Sequence, residues 1–129
     1  MASVFSLIIE GNIPGHFIYK DDIAVAFMTI QPIRAGHVLV VPREEVDQWS
    51  DLSEETAAHL MTVAHKIANA QKKAFGCTRV GLMIAGLEVP HTHLHVIPME
   101  SMDDLSFANA KDVSQEELIK AKEAIINAL

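Results

Sequence analysis

A chain of 129 residues, half of them hydrophobic, is long enough to bury the core of one domain and too apolar to be disordered. Ten basic against seventeen acidic residues give a formal charge of −7, and no basic stripe is visible. Proteins that bind long nucleic acid carry such stripes, so long nucleic acid is not expected as a partner. No apolar run could cross a membrane, no signal peptide is visible, and the single Cys77 cannot form an internal disulfide. We therefore expect one cytoplasmic domain over residues 1–129, without a membrane partner.

The first part of the chain alternates short apolar runs with turn residues. A short helical run over residues 4–10 ends at Gly11, and Asp21-Asp22 marks the turn of a hairpin. A loop with proline and glycine occupies residues 31–36, and the strand after it ends at Pro42. The strands predicted in this part cover residues 17–20, 23–28 and 37–41.

A long amphipathic helix and two more strands are predicted next. Ser53 or Asp51 is placed to cap the start of the helix, and Gly76 to end it. Apolar residues recur between them at helical spacing and are expected to face the core. These residues are Leu60, Met61, Ala64, Ile67 and Ala68. The strands that follow are predicted at residues 79–85 and 91–98.

The C-terminal segment carries the signals of a last helix. Ser114 and Glu117 stand at the spacing of a capping box, with Val113 placed as a hydrophobic staple, so we expect a helix over about residues 114–128. Its predicted apolar stripe consists of Leu118, Ala121, Ile125 and Leu129. Strands joined in hairpins, with helices at their flanks, predict the α+β class.

Three histidines alternate in the last predicted strand. Side chains two positions apart in a strand share one face, at steps of roughly 6.6 Å, so His91, His93 and His95 are expected to form one row. Imidazole titrates near neutrality and can serve as nucleophile, acid or hydrogen-bond donor. His-x-His on a strand is also a spacing of zinc ligands, which leaves a metal-dependent hydrolase as an alternative. No carboxylate other than Glu88 is well placed to complete such a site.

The histidine row is part of a longer pattern. Residues 91–97 match His-φ-His-φ-His-φ-φ, where φ is apolar, with Thr92 as the one weak fit. Further segments at residues 4–14, 19–22, 27–32 and 36–42 follow the same family's order and spacing. On these motifs the chain resembles the histidine-triad (HIT) family of nucleotide hydrolases and transferases. The resemblance implies a five-stranded antiparallel sheet with flanking helices and a two-fold homodimer.

The resemblance also implies catalytic roles for four histidines. The middle one, His93, is expected to attack the phosphorus of a nucleoside 5'-phosphoryl compound and form a phosphoramidate that water later hydrolyses. The other ring nitrogen of His93 is expected to donate its proton to the backbone carbonyl of His91. His95 is expected to reach the leaving group and supply a proton, and His37 to complete the cluster. No cofactor is implied.

Nucleoside recognition is likewise carried over from the family. Phe5, Ile8, Phe27 and Ile30 are expected to sandwich the base of the nucleotide, which is expected to be a purine. On sequence alone plain core is the favoured interpretation of these residues, and both can hold because a base pocket is core surface left open. Thr29 stands where the family usually has an aspartate for the ribose hydroxyls. A threonine cannot accept two charge-assisted hydrogen bonds, so ribose preference is open.

Two further departures concern charge and metal. Glu88 falls near the expected phosphate contact, where its carboxylate could repel phosphate, orient a histidine, favour an amine or cationic leaving group, or point to solvent. Ser3 and Ser6 replace a Cys-x-x-Cys pair that many bacterial relatives carry as half of a zinc site, so no metal is predicted.

Together these observations predict an enzyme that cleaves nucleoside 5'-phosphoryl bonds through a histidine adduct. Dinucleoside polyphosphates are the first choice of substrate by a small margin, ahead of nucleoside phosphoramidates and aminoacyl or sulfuryl adenylates. The alternatives are the metal-dependent hydrolase and a nonenzymatic nucleotide-binding or regulatory dimer.

Overall fold

The computed structural model describes residues 2–129 as one antiparallel sheet of five strands, with three α-helices. The strands lie in the order β1-β2-β3-β5-β4 across the sheet. They are β1 (Phe17–Lys20), β2 (Ala24–Met28), β3 (Val38–Pro42), β4 (Arg79–Met83) and β5 (Leu94–Met99), and the helices are α1 (Val4–Ile9), α2 (Glu54–Phe75) and α3 (Gln115–Ala128). The predicted α+β class and five-stranded sheet are confirmed. Within residues 2–129, no helix combines the length and the apolarity needed to cross a bilayer.

The two faces of the sheet carry different layers. The larger core lies between the sheet and the pair α2 and α3, and it includes Val40, Val96 and Ile67. A smaller apolar cluster, with Phe5 of α1, covers part of the opposite face. Residues paired across antiparallel strands point to the same face, so Phe27, Leu39 and His95 form a row on this second face. The histidines are therefore presented away from α2.

The helix ends follow from their capping residues. The Ser53 side chain caps α2 by accepting from the backbone N–H of Thr56 at 3.1 Å. Gly76 ends α2 in the left-handed conformation at φ 60°, which glycine adopts without steric cost. Ser114 caps α3 as predicted, accepting from the backbone of Glu117 at 3.1 Å.

Several predicted bounds are wrong by a few residues, most importantly in the last strand. β5 begins at Leu94 and not at His91, because the residues before it bond to loops: His91 N–H donates to Val89 and Thr92 N–H to Val46. The strand predicted over residues 79–85 ends at Met83. Two predicted core positions are also wrong, since Met61 is 52% and Leu129 54% exposed.

Candidate active site

His93 lies just before β5 and is 1% exposed. Its Nδ1–H donates to the backbone carbonyl of His91 at 2.7 Å, because a carbonyl oxygen can only accept. This hydrogen bond fixes the ring so that Nε2 points to Glu88, whose Oε1 lies at 3.0 Å. The arrangement is the one that the predicted nucleophilic role requires, with one ring nitrogen anchored to the backbone and the other directed at the site.

The ring of His91 is held by two hydrogen bonds of its own. Its Nε2–H donates to the carbonyl of Pro42 at 2.7 Å, so Nδ1 is left to accept from the hydroxyl of Ser3, also at 2.7 Å. Burial lowers the pKa of His91, which keeps the ring neutral and preserves both bonds. His91 thus contributes its backbone carbonyl to the site, while its ring fastens β3 and the N-terminus together.

Ser3 and Ser6 form a hydrogen-bonded cluster with Glu45, which sequence reasoning did not identify. One oxygen of Glu45 accepts from the backbone N–H of Ser3 at 2.6 Å and from the hydroxyl of Ser6 at 2.8 Å. These bonds hold the pKa of Glu45 below its usual range. Ser3 also caps α1 by accepting from the backbone N–H of Ser6 at 3.0 Å. Hydrogen bonds therefore attach α1 to His91 at the position where the family resemblance places thiolates.

His37 and His95 form a relay of neutral rings, which we call the histidine relay. The backbone N–H of Ile33 donates to Nδ1 of His37 at 3.2 Å, so His37 carries its proton on Nε2 and donates it to Nδ1 of His95 at 2.9 Å. His95 must then carry its proton on Nε2, which points into the site. Burial lowers the pKa of His37 to about 3 and that of His95 to about 4, so both rings are neutral at pH 7.

Helix α2 is hydrogen-bonded to the backbone next to both histidines of the relay. The fully buried Gln71 donates from Nε2 to the carbonyl of Gly36 at 2.8 Å and to that of Val96 at 2.9 Å, next to His37 and His95 respectively. Gly36 has φ 89°, and a Cβ there would collide with the ring of Phe75. The sequence pattern does not mark Gln71 as a residue that supports the site, because its hydrogen-bond partners lie 35 and 25 residues away.

The carboxylate of Glu88 faces the histidines. Its Oε1 lies 3.0 Å from Nε2 of His93 and 3.4 Å from Nε2 of His95, while 46% of its side chain stays exposed. Burial raises the pKa of Glu88, but the hydrogen bond from His93 and the interactions with both histidines outweigh it and leave the pKa lowered. Glu88 therefore occupies the space in front of the predicted nucleophile.

A cavity of about 360 Å³ opens beside His95. Thr29 and Glu88 line it, as expected for residues assigned to substrate contacts. Phe107 also lines it, and its ring centroid lies 4.9 Å from that of His95. No sequence signal marked Phe107, because it follows the last strand in a segment without regular periodicity.

The residues predicted to hold the base are only partly brought together. The rings of Phe5 and Phe27 lie 5.6 Å apart, and that of Phe5 lies 4.8 Å from His93. Ile8 packs against the same cluster. Ile30 lies apart from it and is 67% exposed. The structure thus supports an apolar wall beside His93 built from three of the four residues.

The arrangement also bears on the metal-dependent alternative. In residues 2–129, Glu88, His93 and His95 are the one group of three possible ligands whose ligand atoms all lie within 4.8 Å of one another. A histidine ligand must offer a lone pair, but the relay puts a proton on Nε2 of His95. The donor set therefore fits proton transfer and hydrogen bonding better than metal coordination.

The chain is similar in sequence to proteins of one family. A family model of the HIT domain matches residues 10–102, which include all four histidines of the site. The chain is 35% identical to an uncharacterized HIT-like protein of Saccharolobus solfataricus, over 98% of this chain and 96% of that protein. It is 33% identical to the asymmetrical bis(5'-nucleosyl)-tetraphosphatase of Schizosaccharomyces pombe, over 66% of this chain and 50% of that enzyme.

The fold is similar as well. The crystal structure of a Hit-like protein from Bartonella henselae superposes with a TM-score of 0.86 at 30% identity, covering 98% of this chain and 96% of that one. Sequence and fold therefore agree on the same family across most of the chain.

Proposed function

The chain belongs to the HIT domain family, and on that premise we propose that it is a nucleotide hydrolase or transferase in which His93 attacks a nucleoside 5'-phosphoryl group. One observation carries the proposal: the buried His93 is anchored through Nδ1 to the carbonyl of His91, so Nε2 is directed at the site. A neutral imidazole nitrogen is a good nucleophile at pH 7, and attack splits one difficult displacement into two easier steps.

The other site residues take supporting roles in this proposal. His95 donates its Nε2–H to the phosphoryl group or leaving group, and His37 fixes the direction of that proton. Phe5, Ile8 and Phe27 face one side of a purine base, and Ile30 is assigned to its other side. Thr29 lies in the cavity and contacts the ribose. A homodimer is part of the proposal through the family resemblance alone, and a cytoplasmic location is proposed because the single Cys77 fits a reducing compartment.

Two leaving groups are each supported by a specific observation. The tetraphosphatase relative from Schizosaccharomyces pombe supports a dinucleoside polyphosphate as substrate. The position of Glu88 favours a nucleoside phosphoramidate, because its carboxylate faces the phosphate position. Each extra negative charge at about 4 Å costs about 1 kcal/mol in water and about 4 kcal/mol at an effective dielectric constant of 20. Polyphosphates bring more of these charges than phosphoramidates do.

Steady-state kinetics with both substrate classes test the proposal. We expect His93→Ala to abolish turnover of both while calorimetric binding of a nucleoside monophosphate stays within about tenfold. The ratio of kcat/KM for the polyphosphate to that for the phosphoramidate should rise at least about fivefold in Glu88→Gln, the factor that corresponds to about 1 kcal/mol. The exposed Glu44→Gln is the matched control and should leave the ratio unchanged.

The outcomes also separate the alternatives. Tight nucleotide binding without turnover of either substrate would favour the regulatory dimer. Full turnover by His93→Ala would place the nucleophile elsewhere. An unchanged ratio in Glu88→Gln would mean that the carboxylate lies outside the phosphate site of the bound enzyme.

A further inference from the structure

The hydrogen-bond directions in the site leave one proton whose position is unusual. Nδ1 of His93 donates to the carbonyl of His91, so a neutral His93 presents a bare lone pair at Nε2. That lone pair would face Oε1 of Glu88 at 3.0 Å, and two acceptors do not form a hydrogen bond. The contact therefore contains one proton, shared between His93 and Glu88.

The histidine relay, by contrast, cannot release a proton and remain neutral. Nδ1 of His95 accepts from His37, and Nδ1 of His37 accepts from the backbone N–H of Ile33. If His95 gave away its Nε2 proton, the relay would have to become an imidazolate, because a backbone amide does not release its proton. His95 can therefore orient a hydrogen bond toward the leaving group, but the proton that the leaving group takes has to come from another residue.

Glu88 is the neighbour that can supply this proton. It reaches both ring nitrogens, at 3.0 and 3.4 Å, whereas Glu45 is occupied by Ser3 and Ser6 at the far end of the network. Its 46% exposure lets the side chain move aside when a phosphorus atom takes its place in front of Nε2. It also gives the carboxylate contact with solvent water.

We propose that Glu88 is a further catalytic residue, the general acid–base of both half-reactions, and that the proton it shares with His93 is the one the leaving group takes. This inference rests on the proposed function. It assigns to Glu88 a step that neither the histidine pattern nor the family's motif requires.

In the first half-reaction the shared proton moves to Glu88 and leaves the lone pair on Nε2 of His93. That lone pair forms the N–P bond, the bond from phosphorus to the leaving group breaks, and its electron pair goes to the leaving group. Glu88 transfers its proton to the same atom and becomes a carboxylate. His95 keeps its Nε2–H as a hydrogen-bond donor throughout.

In the second half-reaction a water oxygen forms the new bond to phosphorus. The N–P bond breaks and its electron pair returns to Nε2 of His93. Glu88 takes the proton of the attacking water, and the product is a nucleoside 5'-monophosphate. The site is then back in its starting state, with one proton shared between Glu88 and His93, and one water has been consumed per turnover.

Leaving-group dependence tests this role directly. We would measure formation and decay of the His93 adduct by rapid quench, using a nucleoside 5'-(4-nitrophenyl phosphate) and a nucleoside phosphoramidate of an alkylamine. Nitrophenolate departs without a proton, whereas an alkylamine requires one. In Glu88→Gln, adduct formation from the phosphoramidate should fall on the order of 100-fold, the range of general acid catalysis, and that from the nitrophenyl ester by less than about fivefold.

Decay of the adduct gives the second readout. After loading with the nitrophenyl ester, the Glu88→Gln adduct should hydrolyse on the order of 100-fold more slowly than the wild-type adduct. Glu88→Asp should restore part of both rates because it keeps a carboxylate, and Glu44→Gln should match the wild type. In Glu88→Ala, added formate should accelerate decay.

Each other outcome overturns the inference. Equal losses with both substrates would make Glu88 a positioning residue for His93. An adduct that decays at the wild-type rate in Glu88→Gln would assign the base to another group. If the wild-type protein formed no His93 adduct from either substrate, the proposed function itself would fail. The wild-type protein alone gives this result, so it is distinguished from a failure of the role assigned to Glu88.

Discussion

Acidification from pH 7 to pH 5 should destabilise the folded protein through its buried histidines. In the unfolded chain a histidine binds a proton below about pH 6.5, whereas in the folded protein burial lowers the pKa of His37 to about 3 and that of His95 to about 4. The unfolded state therefore binds more protons in this window, and the free energy of unfolding falls as the pH falls.

The size of the loss follows from the two pKa values. Each neutral buried histidine lowers the free energy of unfolding by about 1.4 kcal/mol per pH unit below 6.5, which gives about 2 kcal/mol by pH 5 and about 4 kcal/mol for the pair. The lowered pKa of His91 adds to the same loss. The carboxyl groups with lowered pKa, such as Glu45 and Glu88, stabilise the folded protein above the ordinary pKa of glutamate, so their contribution is lost below this window.

Urea denaturation at pH 7, 6 and 5, at one protein concentration, measures the effect. In His37→Gln the loss between pH 7 and pH 5 should be smaller by about 2 kcal/mol, while the exposed His65→Gln should retain the wild-type loss. A free energy of unfolding that is the same at pH 7 and pH 5 would refute the neutral histidine relay.

Three other properties follow from the site. Ser3→Ala should lower the free energy of unfolding by about 2 kcal/mol in urea denaturation, because it removes a helix cap and the partner of His91 Nδ1. The exposed Thr62→Ala is its control, and equal stability of both variants would contradict a stabilising role for the hydrogen bonds that attach α1 to His91. Thr29→Asp should increase the preference in kcat/KM for ribo- over deoxyribonucleotide substrates, and an unchanged preference would remove Thr29 from the ribose contact. Activity should survive exhaustive treatment with EDTA, checked by elemental analysis, whereas activity that only added metal restores would favour the metal-dependent alternative.

The α+β class and the histidine row could be predicted because their signals are local, whereas the five-stranded antiparallel sheet is what the family resemblance implies. Alternating apolar residues and turn residues mark strands, and the spacing of His91, His93 and His95 marks the cluster whatever the rest of the chain does. The start of β5 could not be predicted, because two of the hydrogen bonds that hold the residues before it have partners distant in sequence. The backbone N–H of Thr92 donates to Val46, 46 positions away, and the ring of His91 donates to Pro42, 49 positions away. Periodicity does not report such partners.

The missed residues share the same cause. Glu45 bonds to a residue 42 positions away, and Gln71 to one 35 positions away, so nothing in their own neighbourhood distinguishes them from a surface glutamate or a helical glutamine. Phe107 lies outside the region that the HIT domain model matches. The sequence leaves four roles open for Glu88, and only the folded chain shows that its carboxylate contacts His93.

The most direct test of the account is to trap the covalent intermediate and locate it. The wild-type protein would be mixed with a nucleoside 5'-phosphoryl substrate, quenched at neutral to alkaline pH to preserve a phosphoramidate, and mapped by peptide mass spectrometry. We expect one nucleotidyl group on His93, formed no more slowly than product, and none in His93→Ala. A nucleotidyl group on any other residue, or turnover by His93→Ala at the wild-type rate, would contradict the account.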